Sequence, residues 1–249
     1  MGQKGYAIVR GGCSGAGREI SLRLAREGYD IVGNYADKNQ AYKGEALIQD
    51  IEALGRRCVV HNADLREQEN VKQLVSFARQ SFGDELTVFI NNGGIFDGKR
   101  LPDLEVWEYE ELTAIHINAM LHCVREVYPL MEKNKGSFIN ITAVASPPAG
   151  ETLDYTLEWS LFQAFTRSLA KTMEPYHMRF NSIVSAMVPA PGESPPPPPE
   201  PDSLAGPGHD RMCGPFFDKG DTDEITNCMM QIIHAPYMNG HVVSPDIRL

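Results

Sequence analysis

A cluster of glycines, Gly11-Gly12-Cys13-Ser14-Gly15-Ala16-Gly17, follows a short apolar run at Tyr6 to Val9 and precedes apolar residues at helical spacing. A buried strand that turns through glycines into a helix brings free backbone N–H groups and the positive end of the helix dipole to one place. That arrangement suits a phosphate group. The sequence therefore predicts an N-terminal strand–turn–helix unit that binds a nucleotide pyrophosphate.

Strands and helices alternate over the first three-quarters of the chain. Predicted strands lie at 6–9, from 31 onward, and at 58–60, 86–90, 137–141 and 178–184. Predicted helices lie at 20–27, 42–54, 71–82, 107–131 and 154–173. Because the strands are continuous apolar runs, we expect helices to cover both of their faces. The predicted fold is α/β, a Rossmann-like doubly wound parallel sheet, in one domain that spans residues 1–249.

One proline-rich segment interrupts this pattern at about 186–215. Prolines dominate from Pro189 to Pro207, and Pro195 to Pro199 are consecutive. Such a run prefers the extended polyproline II conformation. It follows the sixth strand, at the sheet edge where ligands bind in such folds. A lid over the site is the favoured interpretation, and a docking segment for a proline-binding partner or an inert loop are the alternatives.

Composition excludes several classes of protein. The net charge of -10 argues against a nucleic-acid partner, because phosphate backbones require clustered lysine and arginine. No apolar run reaches the roughly 18 residues of a membrane span, and the first strand begins too early for a signal peptide. Five widely spaced cysteines and seven scattered histidines predict neither a disulfide framework nor a metal site. We expect a cytoplasmic protein without a metal.

Further motifs occur in a characteristic order. They are Ala63-Asp64-Leu65, Asn91-Asn92-Gly93-Gly94, Asn118 within His-Ile-Asn-Ala, Tyr155, and Arg179-Phe180-Asn181-Ser182. Together with Gly11-x-x-x-Gly15-x-Gly17, they resemble the short-chain dehydrogenase/reductase family over nearly the whole chain. The resemblance implies that Asp64 contacts adenine, that residues 91–93 line the adenosine ribose, and that residues 13–16 contact phosphates.

The cofactor is expected to be NADP(H) rather than NAD(H). A carboxylate at the end of the second strand would repel a 2′-phosphate, and this chain has Asn34-Tyr35 there, with Asp37 the first acidic residue. Lys38, Arg10 or Arg18 could meet the phosphate. The predicted cofactor-binding residues are Gly11, Cys13, Ser14, Gly15, Ala16, Gly17, Asn34, Tyr35, Asp64, Leu65, Asn91, Asn92, Gly93, Ala186 and Met187.

The catalytic residues depart from the family. In the family, proton transfer to the substrate depends on a serine, a tyrosine, a lysine and an asparagine. At the corresponding positions, in the same order, this chain has Ala143, Tyr155, Trp159 and Asn118. Tyrosine without a neighbouring lysine keeps a pKa near 10 and is a poor reversible acid at neutral pH. Hydride addition to an iminium carbon requires no proton, and Asp154 beside Tyr155 could stabilise such a cation.

The resulting predictions concern the substrate and its neighbours. Tyr155, Trp159, Asn118 and Asp154 are the candidate catalytic residues, and Ala143, Pro147 and Pro148 the candidate substrate-binding residues. Trp159 lies one helical turn from Tyr155 and could stack on an aromatic or cationic substrate. The binding partner is expected to be a small-molecule substrate. The protein is expected to form a homodimer or homotetramer through apolar residues of its long helices, such as Leu161, Phe162, Phe165 and Leu169.

A small branch of the family offers a more specific comparison. This branch contains the fungal NADPH-dependent reductases of indole-alkaloid biosynthesis that also act as Diels–Alderases, of the malbrancheamide and paraherquamide type. The chain is similar to them in having a tryptophan, Trp159, at the lysine position and no serine at the serine position. The chain departs from them in retaining Tyr155 and in having Thr156 where their functional aspartate is expected. The leading hypothesis is an atypical reductase of specialised metabolism that acts on a C=N or iminium substrate, with an accompanying cyclisation. A non-redox cyclase or isomerase, and a nucleotide-binding sensor without chemistry, are the alternatives.

Overall fold

Seven strands form one parallel sheet in the computed structural model, which describes residues 4–92, 105–144, 153–186 and 222–244. Of residues 143–144, 153–159 and 185–186 it describes the backbone alone. The strands are β1 (Tyr6–Arg10), β2 (Asp30–Tyr35), β3 (Cys58–Asn62), β4 (Leu86–Asn92), β5 (Ser137–Val144), β6 (Arg179–Ala186) and β7 (Val242–Val243). Their order in the sheet is β3-β2-β1-β4-β5-β6-β7.

Helices connect the strands. They are α1 (Gly15–Arg26), α2 (Ala41–Ala53), α3 (Gln68–Phe82), α4 (Val106–Thr113), α5 (Ala119–Asn134), α6 (Leu153–Met173) and α7 (Thr222–His234). A π-helical turn, Ala114–Asn118, joins α4 to α5. The order of the strands reverses direction at β1 and β4, which is the arrangement that opens a crevice at the carboxyl ends of the strands.

Two apolar clusters, one on each face of the sheet, form the core. The first contains residues of α3, α5 and α6, and the second contains residues of α1, α2 and α7. Phe89, Phe138 and Phe180 lie at the same level of β4, β5 and β6 in the first cluster. Their rings stack, with centroid separations of 4.8 Å and 4.6 Å between neighbours. The predicted doubly wound parallel sheet with helices on both faces is therefore confirmed.

Residues of the Arg179-Phe180-Asn181-Ser182 motif connect the sheet to the end of the chain. Arg179 Nη1 donates to the Ile232 and Met238 carbonyls, both at 3.0 Å, so it satisfies backbone groups at and beyond the end of α7. Asn181 Nδ2 donates to the Met238 carbonyl at 3.0 Å, and its Oδ1 accepts from the His241 amide at 3.0 Å. These contacts place β7 beside β6.

Three differences from the predicted elements have physical causes. Helix α1 begins at Gly15 rather than at residue 20; Ala16 is the only apolar side chain among residues 15–19, so apolar spacing does not reveal this first turn. The helix predicted at 107–131 is interrupted by the π-turn, which apolar spacing does not reveal. Helix α7 and the two-residue strand β7 were not predicted.

Apolar residues of α6 that were candidates for a subunit interface contribute to this core. Phe162 is buried in the first cluster, and Phe165 and Leu169 pack against it. Phe162 is therefore a core residue, whereas Phe165 and Leu169 stay half-buried, so an interface through this helix face stays a prediction.

We expect removal of the central ring of the aromatic stack to destabilise the protein strongly. Phe138 is fully buried between Phe89 and Phe180, so Phe138→Ala leaves a cavity between them. The free energy of unfolding should fall by about 3–5 kcal/mol in urea denaturation. Tyr237→Ala is the control, because Tyr237 is 83% exposed and its truncation should change the free energy by less than about 0.5 kcal/mol. Equal effects of the two variants would contradict this account of the core.

Candidate functional site: a pocket at the carboxyl edge of the sheet

A close contact between two glycines forms the turn from β1 into α1. Gly11 has a φ of +64°, in the left-handed region that glycine tolerates. A Cβ atom on Gly17 would lie 2.0 Å from the Gly11 carbonyl oxygen and 2.7 Å from Asn92 Nδ2. Only glycine at position 17 allows the first turn of α1 to approach the end of β1 this closely.

The N-terminus of α1 is open to a ligand. Ser14 is its N-cap but makes no side-chain capping bond, and the first turn contains no acidic residue. A Cβ atom on Gly15 would meet nothing within 4 Å. Backbone N–H groups at such a helix end lack intrahelical partners and attract an anion. The geometry is that of a phosphate-binding turn.

A cavity of about 270 Å³ lies beside this turn, at the carboxyl ends of β1 to β4. Its walls come from strand ends and from one helix, and contain both charged and apolar residues. The lining residues are Arg10, Gly11, Asn34, Ala36, Ala63, Asp64, Leu65, Arg66, Asn92, Glu111 and Ile115. Five of the predicted cofactor-binding residues, Gly11, Asn34, Asp64, Leu65 and Asn92, are therefore brought together here.

An ion-pair chain lines one side of the cavity. Arg66 Nε and Nη2 donate to Asp64 Oδ2 at 2.8 Å and 2.6 Å, and Arg66 Nη1 donates to Glu111 Oε1 at 3.0 Å. The hydrogen bonds from Arg66 hold the pKa of Asp64 below its ordinary value. Asp64 is therefore ionised at neutral pH and can only accept hydrogen bonds, which suits the amino group of a base.

The Cys13 side chain is buried in the core and does not line the cavity. Its sulfur would lie 3.2 Å from a Cβ atom on Gly33, within the second core cluster. Burial raises the pKa of the Cys13 thiol to about 11. Cys13 is thus a neutral core side chain, and only its backbone is available to a phosphate.

Asn34 and Tyr35 at the end of β2 have different surroundings. Asn34 Nδ2 donates to the His61 and Ala63 carbonyls at 3.2 Å and 3.0 Å, so its side chain ties β2 to β3 beneath the cavity. Tyr35 packs against the second core cluster and does not line the cavity. Asn91 lies behind the cavity wall, where its Oδ1 accepts from Arg10 Nη1 at 3.0 Å.

The candidate catalytic residues lie on neighbouring elements of the same sheet edge. Asn118 is exposed and is the last residue of the π-turn. Ala143, near the end of β5, pairs with Ser185 in β6, and the adjacent pair is Val144 with Ala186. Asp154, Tyr155 and Trp159 lie in the first turns of α6. The predicted residues Gly93, Pro147, Pro148 and Met187, and most of the segment at 186–215, lie outside the described residues.

Several residues of the pocket were not assigned to it from the sequence. Arg10 was considered only as a possible phosphate contact, and Arg66 was missed although it lies two residues after Asp64. Glu111 and Ile115 come from α4 and the π-turn, and nothing local in the sequence points to them. Within the described ranges, no group of three or more His, Cys, Asp or Glu side chains could hold a metal ion. No helix in the same ranges is long and apolar enough to cross a membrane.

Comparison with known proteins identifies relatives of this chain. A family model described as short chain dehydrogenase matches residues 5–195. The 3-oxoacyl-acyl-carrier-protein reductase FabG of Staphylococcus aureus is 30% identical over 184 residues, which span 73% of this chain and 74% of that protein. The reductase of the same name from Staphylococcus epidermidis is 30% identical over 139 residues, and that match spans only 56% of its length.

Solved structures share the fold over almost the entire chain. A Serratia marcescens short-chain dehydrogenase/reductase variant superposes with a TM-score of 0.81 at 23% identity, with 97% of this chain and 96% of that chain covered. A blue fluorescent protein from a metagenomic library, solved in complex with NADPH, gives a TM-score of 0.80 at 24% identity, with 98% and 97% covered. At these identities the likeness establishes the fold alone.

The contact between Gly17 and Gly11 predicts a sharp sensitivity to one methyl group. Gly17→Ala forces its Cβ against a backbone oxygen, so the free energy of unfolding should fall by about 1–3 kcal/mol in urea denaturation. Gly55→Ala is the comparison: Gly55 has a φ of +74° and no atom within 4 Å of an added Cβ, so only backbone strain of about 1 kcal/mol applies. A smaller loss for Gly17→Ala than for Gly55→Ala would contradict the packing described.

Proposed function

Because the chain belongs to the short-chain dehydrogenase family, we propose that it binds NADP(H) in the pocket at the carboxyl edge of the sheet and acts as an atypical reductase. The observation that carries this proposal is the combination of an open α1 N-terminus with an adjoining cavity lined by ionised Asp64. The pyrophosphate would bind at the helix N-terminus and the adenine beside Asp64.

Charges around the end of β2 support NADP(H) over NAD(H). Asp37 does not line the cavity, and its Oδ1 accepts from the Asn39 amide at 2.9 Å. Arg18 is paired with Asp50 and, at 3.0 Å, with Glu19, so its charge is already neutralised. Lys38 is exposed and lies two residues after Ala36 of the cavity wall. The Arg10 guanidinium already donates to Asn91 and to the Ile115 carbonyl, which leaves Lys38 as the best candidate to meet the 2′-phosphate.

NADPH should bind more tightly than NADH, by about tenfold or more, which corresponds to about 1.4 kcal/mol. Titration of intrinsic fluorescence with each cofactor measures this difference. Lys38→Ala should reduce the affinity for NADPH and leave that for NADH unchanged, because NADH lacks the 2′-phosphate. Gly15→Asp should abolish binding of both, since it places a carboxylate against the pyrophosphate.

Lys72→Ala provides the control for this titration. Lys72 is exposed on α3 and pairs with Glu69 at 3.2 Å, away from the cavity. Its removal should alter neither affinity. Equal or tighter binding of NADH by the unmodified protein would overturn the assignment of NADP(H).

The proposed substrate is a bulky nitrogenous compound with a C=N bond or an iminium carbon. Ala143 and Trp159 replace the serine and lysine on which carbonyl reduction in this family depends, while Tyr155 and Asn118 are kept. When bound, NADPH would supply a hydride to the iminium carbon, and the C=N π electrons would become the lone pair of a neutral amine. An iminium ion is already cationic and needs no proton, so an unassisted tyrosine suffices as a hydrogen-bond donor; a neutral C=N compound would have to be protonated before it reacts.

The chain's own residues would orient the substrate and balance its charge. Trp159 offers a flat face for stacking on an aromatic ring or a cation, and Asp154 and Glu158, which flank Tyr155 in the sequence, supply negative charge. A Diels–Alder type cyclisation would accompany the reduction, as in the fungal alkaloid branch. A homodimer or homotetramer in a cytoplasmic setting stays a prediction.

A second candidate is reduction of a 3-oxoacyl thioester. It is favoured by the names of the staphylococcal relatives and by the retained Tyr155. The absence of the lysine from position 159 weighs against it, because loss of a positioned acid or base typically costs about 10²–10⁴ in rate.

Substrate panels and a double variant distinguish these functions. Oxidation of NADPH is expected with cyclic iminium ions and not with simple ketones or acetoacetyl thioesters. Ala143→Ser combined with Trp159→Lys should lower the iminium activity tenfold or more, because the new ammonium repels a cationic substrate and the stacking surface is lost. Ketone reduction should rise in return, since Tyr155 and Asn118 remain.

The matched control is the other tryptophan of the chain. Trp107 is 60% exposed at the start of α4, and Trp107→Lys should leave the iminium activity unchanged. Full iminium activity in the double variant would show that Trp159 only fills space. Turnover of thioesters alone would establish the second candidate instead, and product formation without NADPH oxidation would identify a non-redox cyclase.

A further inference from the structure

Arg10 occupies an unusual position between the pocket and a helix. It is the last residue of β1, is half-buried, and lines the cavity next to Gly11. Its Nη1 donates to Asn91 Oδ1 at 3.0 Å, and its Nη2 donates to the Ile115 carbonyl at 2.8 Å. Both acceptors are neutral. With the two ends of its planar guanidinium, Arg10 therefore connects β4, which contains Asn91, to the π-turn, which contains Ile115.

The π-turn explains why the Ile115 carbonyl is available. In a regular α-helix this carbonyl would accept from the Ala119 amide, four residues later. Here the Ala119 amide donates to the Ala114 carbonyl, five residues back. The carbonyl of Ile115 thereby loses its helical donor, and Arg10 takes that place. A polar backbone group that is cut off from its usual partner needs such a replacement.

Arg10 is held in turn by the sheet. Arg10, Asn91 and Asn140 lie at the same level of β1, β4 and β5. Asn91 Nδ2 donates to Asn140 Oδ1, and both asparagines are buried. The row of side chains from Asn140 to Arg10 thus orients the guanidinium toward the π-turn.

We propose that Arg10 is a positioning residue that couples nucleotide binding to the π-turn that ends at Asn118. This inference rests on the proposed function, because it assigns the cavity to the nucleotide. A nucleotide in the cavity lies against Arg10 and restricts its motion, which stabilises the hydrogen bond to the Ile115 carbonyl. Asn118, three residues further along the same turn, is then held in place for its role beside Tyr155.

Hydrogen–deuterium exchange tests this coupling locally. In the unmodified protein, NADPH should slow amide exchange in the segment 114–120. Arg10→Met keeps a side chain of similar length but removes both hydrogen bonds. Without nucleotide it should exchange about tenfold faster in this segment, and NADPH should no longer protect it. The peptide that covers α3 serves as the internal reference and should exchange equally in both proteins.

Two further variants separate a structural loss from the proposed coupling. Arg10→Lys keeps the positive charge but removes the planar guanidinium with its two hydrogen bonds. Its affinity for NADPH should lie within a few-fold of that of the unmodified protein, but NADPH should not slow amide exchange in the segment 114–120. Arg23→Met removes an arginine of α1 that pairs with Glu27 and donates to Asn227 on α7 but does not line the cavity, and it should behave like the unmodified protein. If Arg10→Met cannot be folded, Arg10→Lys alone decides the comparison.

The outcomes distinguish this proposal from the proposed function. Full protection of the segment in Arg10→Met or in Arg10→Lys would overturn the positioning role, as would unaltered exchange in the unmodified protein when NADPH is bound. Failure of the unmodified protein to bind NADPH at all would refute the proposed function. In that case, the amide exchange rates of the segment 114–120 measured without nucleotide decide whether Arg10 holds the π-turn. Equal rates in Arg10→Met and in the unmodified protein would show that it does not.

Discussion

The approach of α1 to the end of β1 is the constraint on which the site depends. A carbonyl oxygen of Gly11 occupies the space where any side chain at position 17 would begin. This contact sets the helix axis toward the carboxyl edge of the sheet, so that its free N–H groups face the crevice where the strand order reverses. Asn92, at the end of β4, packs into the same turn. The cavity lies beside this turn, between the ends of β1 to β4 and residues of α4 and the π-turn.

The two arginines that line the cavity, Arg66 and Arg10, have different electrostatic surroundings. At the Asp64 side of the cavity, Arg66 is shared between Asp64 and Glu111, so this ion-pair chain contains two carboxylates and one guanidinium and has a carboxylate that can accept further hydrogen bonds. Arg10 faces the same cavity with only neutral acceptors. An anionic ligand therefore meets a helix N-terminus and a guanidinium together, which is a favourable setting for a dinucleotide.

The two halves of the site have different relations to the family. The nucleotide half keeps the glycine turn, Asp64 and the asparagines, and each of these is accounted for by a contact in the fold. In the proposed catalytic half, the sequence resemblance assigns Tyr155 and Asn118 to the family's tyrosine and asparagine positions, and Ala143 and Trp159 to its serine and lysine positions. A chain that retains the cofactor pocket and loses proton-transfer groups is best suited to a hydride acceptor that needs no proton, which is the basis for the proposed iminium substrate.

Local patterns in the sequence, namely apolar runs, helical spacing and glycines at a strand end, were enough to predict the alternation of strands and helices up to β6 and the glycine turn between β1 and α1. They did not reveal the π-turn, α7 or β7. The resemblance to the family, which rests on motifs such as Ala63-Asp64-Leu65 and Asn91-Asn92-Gly93-Gly94, implied that Asp64, Asn91 and Asn92 belong to the same site. The tertiary structure alone decided the rest of the pocket. Glu111 and Ile115 reach it from a helix that follows β4, and Arg10 contacts a carbonyl 105 residues away. The π-turn that frees this carbonyl leaves no trace in the apolar spacing, since it shifts a backbone hydrogen bond by one residue. Such contacts depend on how separate elements pack and which backbone groups lack a partner, and these quantities exist only once the chain is folded.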